Sequence, residues 1–180
     1  AEPSHECRAD KNRGDLRNMS KASISIALGA DHGGVELKSA LISHLEGAGY
    51  QVTDFGSHVK DSVDYPDFAN PVSRAVAEGT HDFGVLCCCS GVGVSIAANR
   101  HHHVRAANVR SVDETRIVRE HNNANILCLG GHLVDAPTAI EMMDVFLSTE
   151  FSGGRHERRV TKSSGSTIAV NDPDIYAAIV

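Results

Sequence analysis

The stretch FGVLCCCSGVGVSIAAN, residues 83–99, decides how this chain is read. Phe83 to Cys89 is a short, nearly continuous apolar run bounded by a turn, the pattern of a buried strand. Ser90-Gly91-Val92-Gly93 breaks it, and Val92 to Asn99 then reads as a short helix. A strand that passes through a glycine turn into a helix is the building unit of parallel sheets. A thiol at the carboxyl end of that strand would face the N–H groups and dipole of the helix start, which favour thiolates and other anions.

The same alternation runs outward in both directions. Upstream, Ser23–Ala30 reads as strand 1 and Val35–Gly47 as a helix with Leu37, Leu41 and Leu45 on one stripe. Tyr50–Phe55 is strand 2, residues 56–66 a polar loop and Asp67–Glu78 a helix, with Pro71 expected within about its first turn, where proline is tolerated. Downstream, Val104–Val109 is strand 4, Val112–His121 a charged helix, Asn125–Leu129 strand 5 and Ala136–Thr149 a helix, before a basic stretch from Phe151 to Val160. Strand and helix alternate five times, and strands 1, 3 and 5 are almost wholly apolar. The pattern predicts an α/β single domain, a doubly wound five-stranded parallel sheet (Rossmann-like) with both faces covered. Ligands in such folds sit outside the carboxyl ends of the strands, at a switch point in strand order. Asp31-His32, Cys88 to Gly93 and Gly130-Gly131-His132 all fall at such ends.

A length of 180 residues suits one domain with a sizeable core. The formal net charge of -6 argues against a broad nucleic-acid surface, and no apolar run approaches the roughly 18 residues of a membrane span. Residues 1–22 are polar and mixed in charge, and Glu2, Glu6, Asp10 and Asp15 set them apart from acid-poor transit peptides. They are expected to form a disordered extension, with the domain over residues 23–162 and a second extension over residues 163–180. The five cysteines (Cys7, Cys87, Cys88, Cys89, Cys128) are odd in number and poorly spaced for disulfides, which suits a reducing cytoplasm.

Each chemical feature carries two readings. Alternation puts Cys87 and Cys89 on one face of the strand and Cys88 on the other. Cys87 and Cys128 read as inert core residues, whereas Cys88 or Cys89 could be a functional thiol. Gly91-Val92-Gly93 is half of a dinucleotide fingerprint, with Ile96 where the third glycine would stand, so it serves either as an anion-binding turn or as a structural one. Asp31-His32 is a proton-handling pair or a helix cap beside a surface histidine. His121 precedes Asn122 and Asn123 near a loop and reads alone as a surface histidine. His101, His102 and His103 are adjacent rather than spaced as metal ligands, and read as a solvated loop. If Arg155 to Arg159 is helical, Arg155 and Arg159 share a face as a phosphate clamp or as a solvated surface.

In order and spacing, these segments resemble the B-type ribose-5-phosphate isomerase family, which includes the allose- and galactose-6-phosphate isomerases. The resemblance runs from about Ile24 to Val160. It rests on GADHGG (residues 29–34), LK (37–38), DYPDFA (64–69), CSGVGVSIAAN (89–99), REHNNAN (119–125) and GGRHERRV (153–160). It implies cofactor-free and metal-free aldose–ketose isomerisation of a phosphorylated sugar through a cis-enediolate. One branch of the family uses a cysteine base and the other a glutamate; here Cys88 falls at the first position and Val94 at the second. By the same resemblance Ser90 sits beside the reacting oxygens, and the backbone from Cys89 to Val94, with Gly91 and Gly93, forms the anion hole. His121 paired with Asp31 opens the sugar ring. Tyr65 and Asn122 line the pocket, and His32, Arg155 and Arg159 match phosphate-side positions. A homodimer or dimer of dimers with shared sites is implied.

The chain departs from the family pattern at Cys89, where a glycine is common, at His132, where arginine is common, and at His101 to His103. The expected reaction interconverts ribose 5-phosphate and ribulose 5-phosphate. Its rivals are isomerisation of a six-carbon aldose phosphate and non-catalytic binding of a sugar phosphate or nucleotide.

Overall fold

A computed structural model of the chain describes residues 20–163. Five strands form one all-parallel sheet: β1 (Ser25–Ala30), β2 (Gln51–Asp54), β3 (Phe83–Cys88), β4 (Ala106–Asn108) and β5 (Ile126–Gly130), in the order β2-β1-β3-β5-β4. The helices are α1 (Val35–Gly47), α2 (Pro66–Ala77), α3 (Val92–Ala98), α4 (Val112–Asn122), α5 (Ala136–Ser148) and α6 (Arg155–Ser163). The expected doubly wound fold is present as a single domain. Among the described residues, no helix is long and apolar enough to cross a membrane.

Strand alternation sorts side chains between two cores. Ile26, Leu28, Ala30, Phe83, Val85, Cys87, Leu127 and Leu129 face the side covered by α1, α4 and α5. Ala27, Leu86, Cys88, Ile126 and Cys128 face α2 and α3. Right-handed crossovers explain the split: the chain crosses on one side when it steps toward β2 or back from β4 to β5, and on the other when it steps toward β3 and β4. Gly29 and Gly84 lie on the α2 side, where a Cβ would come within 2.9 and 3.0 Å of the Val72 methyls. These glycines let α2 settle close to the sheet.

Local chemistry sets the ends of the elements. Ser111 Oγ caps α4 by accepting the Glu114 N–H, and Asp135 Oδ1 caps α5 by accepting the Thr138 N–H. The Thr138 bonds hold the Asp135 carboxyl below its ordinary pKa. Asn123, at φ 49°, ends α4 in the left-handed region that asparagine tolerates.

Several boundaries differ from expectation. Ser23 belongs to a 3₁₀ turn over Lys21–Ser23, so β1 starts at Ser25. The strand expected over residues 104–109 pairs only over Ala106–Asn108, because it is an edge with a single neighbour. Helix α2 starts at Pro66 rather than Asp67, which places Pro71 inside the helix and beyond its first turn. The carbonyl deprived of a donor is that of Asp67, which is exposed and open to water. Helix α6 carries the chain to Ser163, one residue into the expected C-terminal extension. Cys7, most of the expected 1–22 extension and residues 164–180 lie outside the described residues.

Candidate active site

The chain steps from β1 out to β2, then returns past β1 to form β3, so a switch point opens at the carboxyl ends of β1 and β3. Three loops meet there. Asp31 N–H donates to the Cys87 carbonyl at 3.1 Å, Gly131 N–H to the Cys88 carbonyl at 2.7 Å, and His132 N–H to the Cys89 carbonyl at 3.2 Å. The approach is so close that a Cβ on Gly131 would lie 2.5 Å from the Gly33 carbonyl oxygen.

Cys88 ends β3 on the α2 and α3 side and is 5% exposed. Its Sγ accepts a hydrogen bond from the Gly91 N–H at 3.0 Å. That geometry requires the turn, and the turn requires glycine: Gly91 has φ 78°, and the space of a Cβ is taken by Asn108 Oδ1. Ser90 Oγ accepts the Val92 N–H at 3.3 Å. The N–H groups of the first turn of α3 have no acceptor within the helix, as at any helix start. Tyr65 lies across this turn, with ring atoms 2.9 Å from where a Gly93 Cβ would be.

The other cysteines are different in kind. Burial pushes the Cys87 thiol up to about 12, and pushes Cys128 well above its ordinary value. Desolvation, then Asp31 and Cys88, raise Cys89 as well. Cys89 Sγ packs directly against Gly33, where any side chain at position 33 would collide with it. The extra thiol therefore sits under the Asp31–Gly34 loop.

Asp31 is buried, and its Oδ1 accepts the Gly33 N–H at 2.9 Å. His32 Nδ1 accepts the Val63 N–H at 3.3 Å. This assigns the proton of neutral His32 to Nε2 and makes that nitrogen a donor. The loop carrying these residues is anchored from behind: Ala30 N–H donates to the Gly56 carbonyl, Ser57 N–H to the Ala30 carbonyl, and buried Lys38 Nζ to Asp54 Oδ1 and the Ser57 carbonyl. Asp31, His32, Tyr65, Cys88, Ser90, Gly91 and Gly93 thus belong to one edge of the sheet.

His121, Asn122, Arg155 and Arg159 belong to the other. Helix α4 runs back along the sheet, so His121 lies where the chain is about to enter β5. The length of β5, five residues at about 3.3 Å each, separates that edge from Cys88. The His121 ring stacks on His156, with centroids 4.3 Å apart and planes 7° from parallel. Arg155 Nε donates to His156 Nε2 at 3.3 Å. Desolvation, with His121, Arg155 and Arg159 adding to it, lowers the His156 pKa. Arg159 and His121 line an open cleft with Asn99, Arg105 and Asn122. His121 and Asp31, expected as a pair, therefore do not meet within one chain. Of the remaining histidines, His101 Nε2 is 3.0 Å from Asn70 Oδ1, and His102 and His103 are exposed.

Two further residues matter to the site and were not singled out from sequence. Asn108 ends β4 at the same edge as Cys88, and its Nδ2 donates to the Ser90 carbonyl at 3.4 Å. A polar residue ending an apolar strand was the signal, the same one that marks Asp31. Arg119 is 2% exposed between the rings of Phe83 and Phe146, 5.2 and 5.3 Å from their centroids. It donates to the Thr149 and Ala124 carbonyls and to Asn123 Oδ1, so it fixes the turn after His121 and Asn122. Desolvation lowers its pKa to about 10.

Comparison with known proteins agrees with this fold. A chain similar to this one is ribose-5-phosphate isomerase B of Escherichia coli K12, 39% identical over 135 residues that cover 75% of this chain and 91% of that one. The crystal structure of a ribose 5-phosphate isomerase from Thermotoga maritima matches with a TM-score of 0.78 and 46% identity, covering 79% of this chain and 99% of that one. A ribose-5-phosphate isomerase B from Mycoplasma genitalium with bound ribulose-5-phosphate matches with a TM-score of 0.75 and 41% identity, over 78% and 93% of the two chains. The profile of the ribose/galactose isomerase family spans residues 26–163, from β1 through the end of α6. This chain belongs to the ribose/galactose isomerase family and is an isomerase.

Proposed function

We propose that the protein interconverts ribose 5-phosphate and ribulose 5-phosphate through a cis-enediolate, with Cys88 as the base. The observation that carries this reading is the hydrogen bond from Gly91 N–H to Cys88 Sγ at the switch point. A free thiol titrates at about 8.5, so only about 3% is thiolate at pH 7. The Gly91 N–H fixes the sulfur at the carboxyl end of β3, beside the start of α3.

Cys88 takes the proton from C2 of the open-chain aldose. The C–H electron pair becomes the C1–C2 double bond, and the carbonyl electrons move onto O1. The hydroxyl proton on O2 passes to O1, relayed by the Ser90 hydroxyl, and Cys88 returns its proton to C1 as the O2 carbonyl forms. The charge on the enediolate oxygens meets Ser90 and the N–H groups at the start of α3. Losing one such preorganised donor typically costs about 3–4 kcal/mol at the transition state. Proton transfer alone completes this chemistry, with no cofactor and no metal.

Ring opening needs His121 next to Asp31, and one chain holds them at opposite edges. A second copy supplies the missing half: its His121 and Asn122 face Asp31 and Tyr65, and its Arg155 and Arg159 join His32 at the phosphate. The i, i+4 spacing of the arginines on α6 presents two guanidinium groups on one face, suited to a phosphate. The phosphate is a remote handle whose binding energy positions C1 and C2. The reaction needs no lipid surface and no nucleic acid, and we place it in the cytoplasm. Assay of Cys88→Ser and Cys89→Ser with ribose 5-phosphate, read with solvent-deuterium exchange at C2, tests the assignment. Loss in the first alone supports it, and full activity there removes it. A substrate panel separates five-carbon from six-carbon phosphates by kcat/KM.

A further inference from the structure

The Gly91 N–H that points at the Cys88 sulfur belongs to the same planar peptide as the Ser90 carbonyl. The two groups of a trans peptide point in opposite directions. On the far side, Asn108 Nδ2 lies 3.4 Å from the Ser90 oxygen. The chain of contacts is thus Asn108 Nδ2–H to Ser90 carbonyl, and Gly91 N–H to Cys88 Sγ. We infer that Asn108 is a positioning residue that acts on the Cys88 sulfur through the Ser90–Gly91 peptide.

Three observations converge on this role. The Asn108 amide is committed to the turn: its Oδ1 fills the space beside Gly91 that a Cβ would take, and that buried oxygen has no hydrogen-bond partner. A buried orphan acceptor is costly and is rare unless something else is gained. The orientation is also dictated by chemistry, since the flipped amide would set its oxygen against the Ser90 oxygen, two acceptors facing each other. Finally, α3 carries no charged residue to assist the thiolate. The ionisable groups coupled to this strand end are the thiols of Cys87, Cys89 and Cys128, with Asp31 acting on Cys87 and Cys89 and Lys38 on Cys87. Backbone donation to the sulfur then matters, and a donor on the carbonyl side both polarises the peptide and holds its plane. At 3.4 Å the contact is long, so a moderate effect is expected.

The inference rests on Cys88 as the base for its consequence in catalysis, but its test reads the sulfur directly. Thiolate absorbance in the far ultraviolet is followed against pH for the full chain, for Asn108→Ala and for Asn108→Leu, each minus the same protein carrying Cys88→Ser. Asn108→Ala is expected to lower the Cys88 thiolate fraction near neutral pH by about threefold, the weaker end of a hydrogen bond's effect. Asn108→Leu keeps a similar branched shape and adds no charge but has no N–H donor, so it is expected to lower the fraction by a similar factor. A packing role alone would leave Asn108→Leu titrating like the parent protein. Unchanged Cys88 titration in Asn108→Leu overturns the inference even if Asn108→Ala fails to fold. Retained activity in Cys88→Ser would instead remove the base assignment and leave the titration result standing.

Discussion

Asp31 and His121 lie at opposite edges of one sheet: Asp31 leaves the carboxyl end of β1, and His121 closes α4 where the chain turns back toward β5. A site that needs both must draw them from two copies. Cys88→Ser and His121→Ala should each lose about 100- to 10,000-fold in kcat, the usual range for a proton-transfer group. Mixed, unfolded and refolded together, the two inactive proteins should regain about a quarter of the parent activity. Half of the resulting dimers are mixed, and each mixed dimer holds one intact site of two. A mixture as inactive as its components would show that each site is built from one chain.

Gly91 meets two demands at once, a left-handed φ of 78° and contact with Asn108 Oδ1. Gly91→Ala should cost about 1–2 kcal/mol from backbone conformation alone, and more from displacing Asn108. Thermal unfolding should show the loss of stability. Activity should fall by more than the folded fraction explains, because the donor to Cys88 moves with the turn.

Arg119 holds its place by hydrogen bonds to the carbonyls of Ala124 and Thr149 and to Asn123 Oδ1. Arg119→Met fills much of the space and strands those acceptors, each costing about 1–3 kcal/mol when buried. Urea unfolding should report a loss of at least about 2 kcal/mol. A variant as stable as the parent would mean that the buried guanidinium contributes nothing net.

His156 is held below the ordinary histidine pKa, by desolvation first and then by His121, Arg155 and Arg159. The unfolded chain therefore binds the proton more readily than the folded one. The sign follows: the contribution is complete above the unfolded value of about 6.5 and is lost as pH falls through and below it. His156→Gln should flatten the acid side of the stability profile below about pH 6.5. An identical acid limb in the variant would contradict this.

The sheet was legible in the sequence because buried parallel strands leave apolar runs, and β1, β3 and β5 are flanked on both faces. The edges were less so: β4 shrank to Ala106–Asn108 because one neighbour supports fewer ladder bonds than two. Cys87 and Cys88 were separable by alternation alone, and they face opposite cores. The division of the site between two edges was not derivable from spacing, since strand order, not sequence distance, decides which loop ends are neighbours. Asn108 was hidden for a related reason: β4 follows β3 in sequence, yet β5 lies between them in the sheet, and only the folded turn brings Asn108 under Gly91.

The most direct measurement is kcat for Cys88→Ser beside Cys89→Ser, with ribose 5-phosphate and deuterium exchange at C2. Cys88→Ser should lower turnover and exchange together by about 100- to 10,000-fold, while Cys89→Ser, altering a thiol packed on Gly33, should keep both. Full activity and exchange in Cys88→Ser would contradict the account.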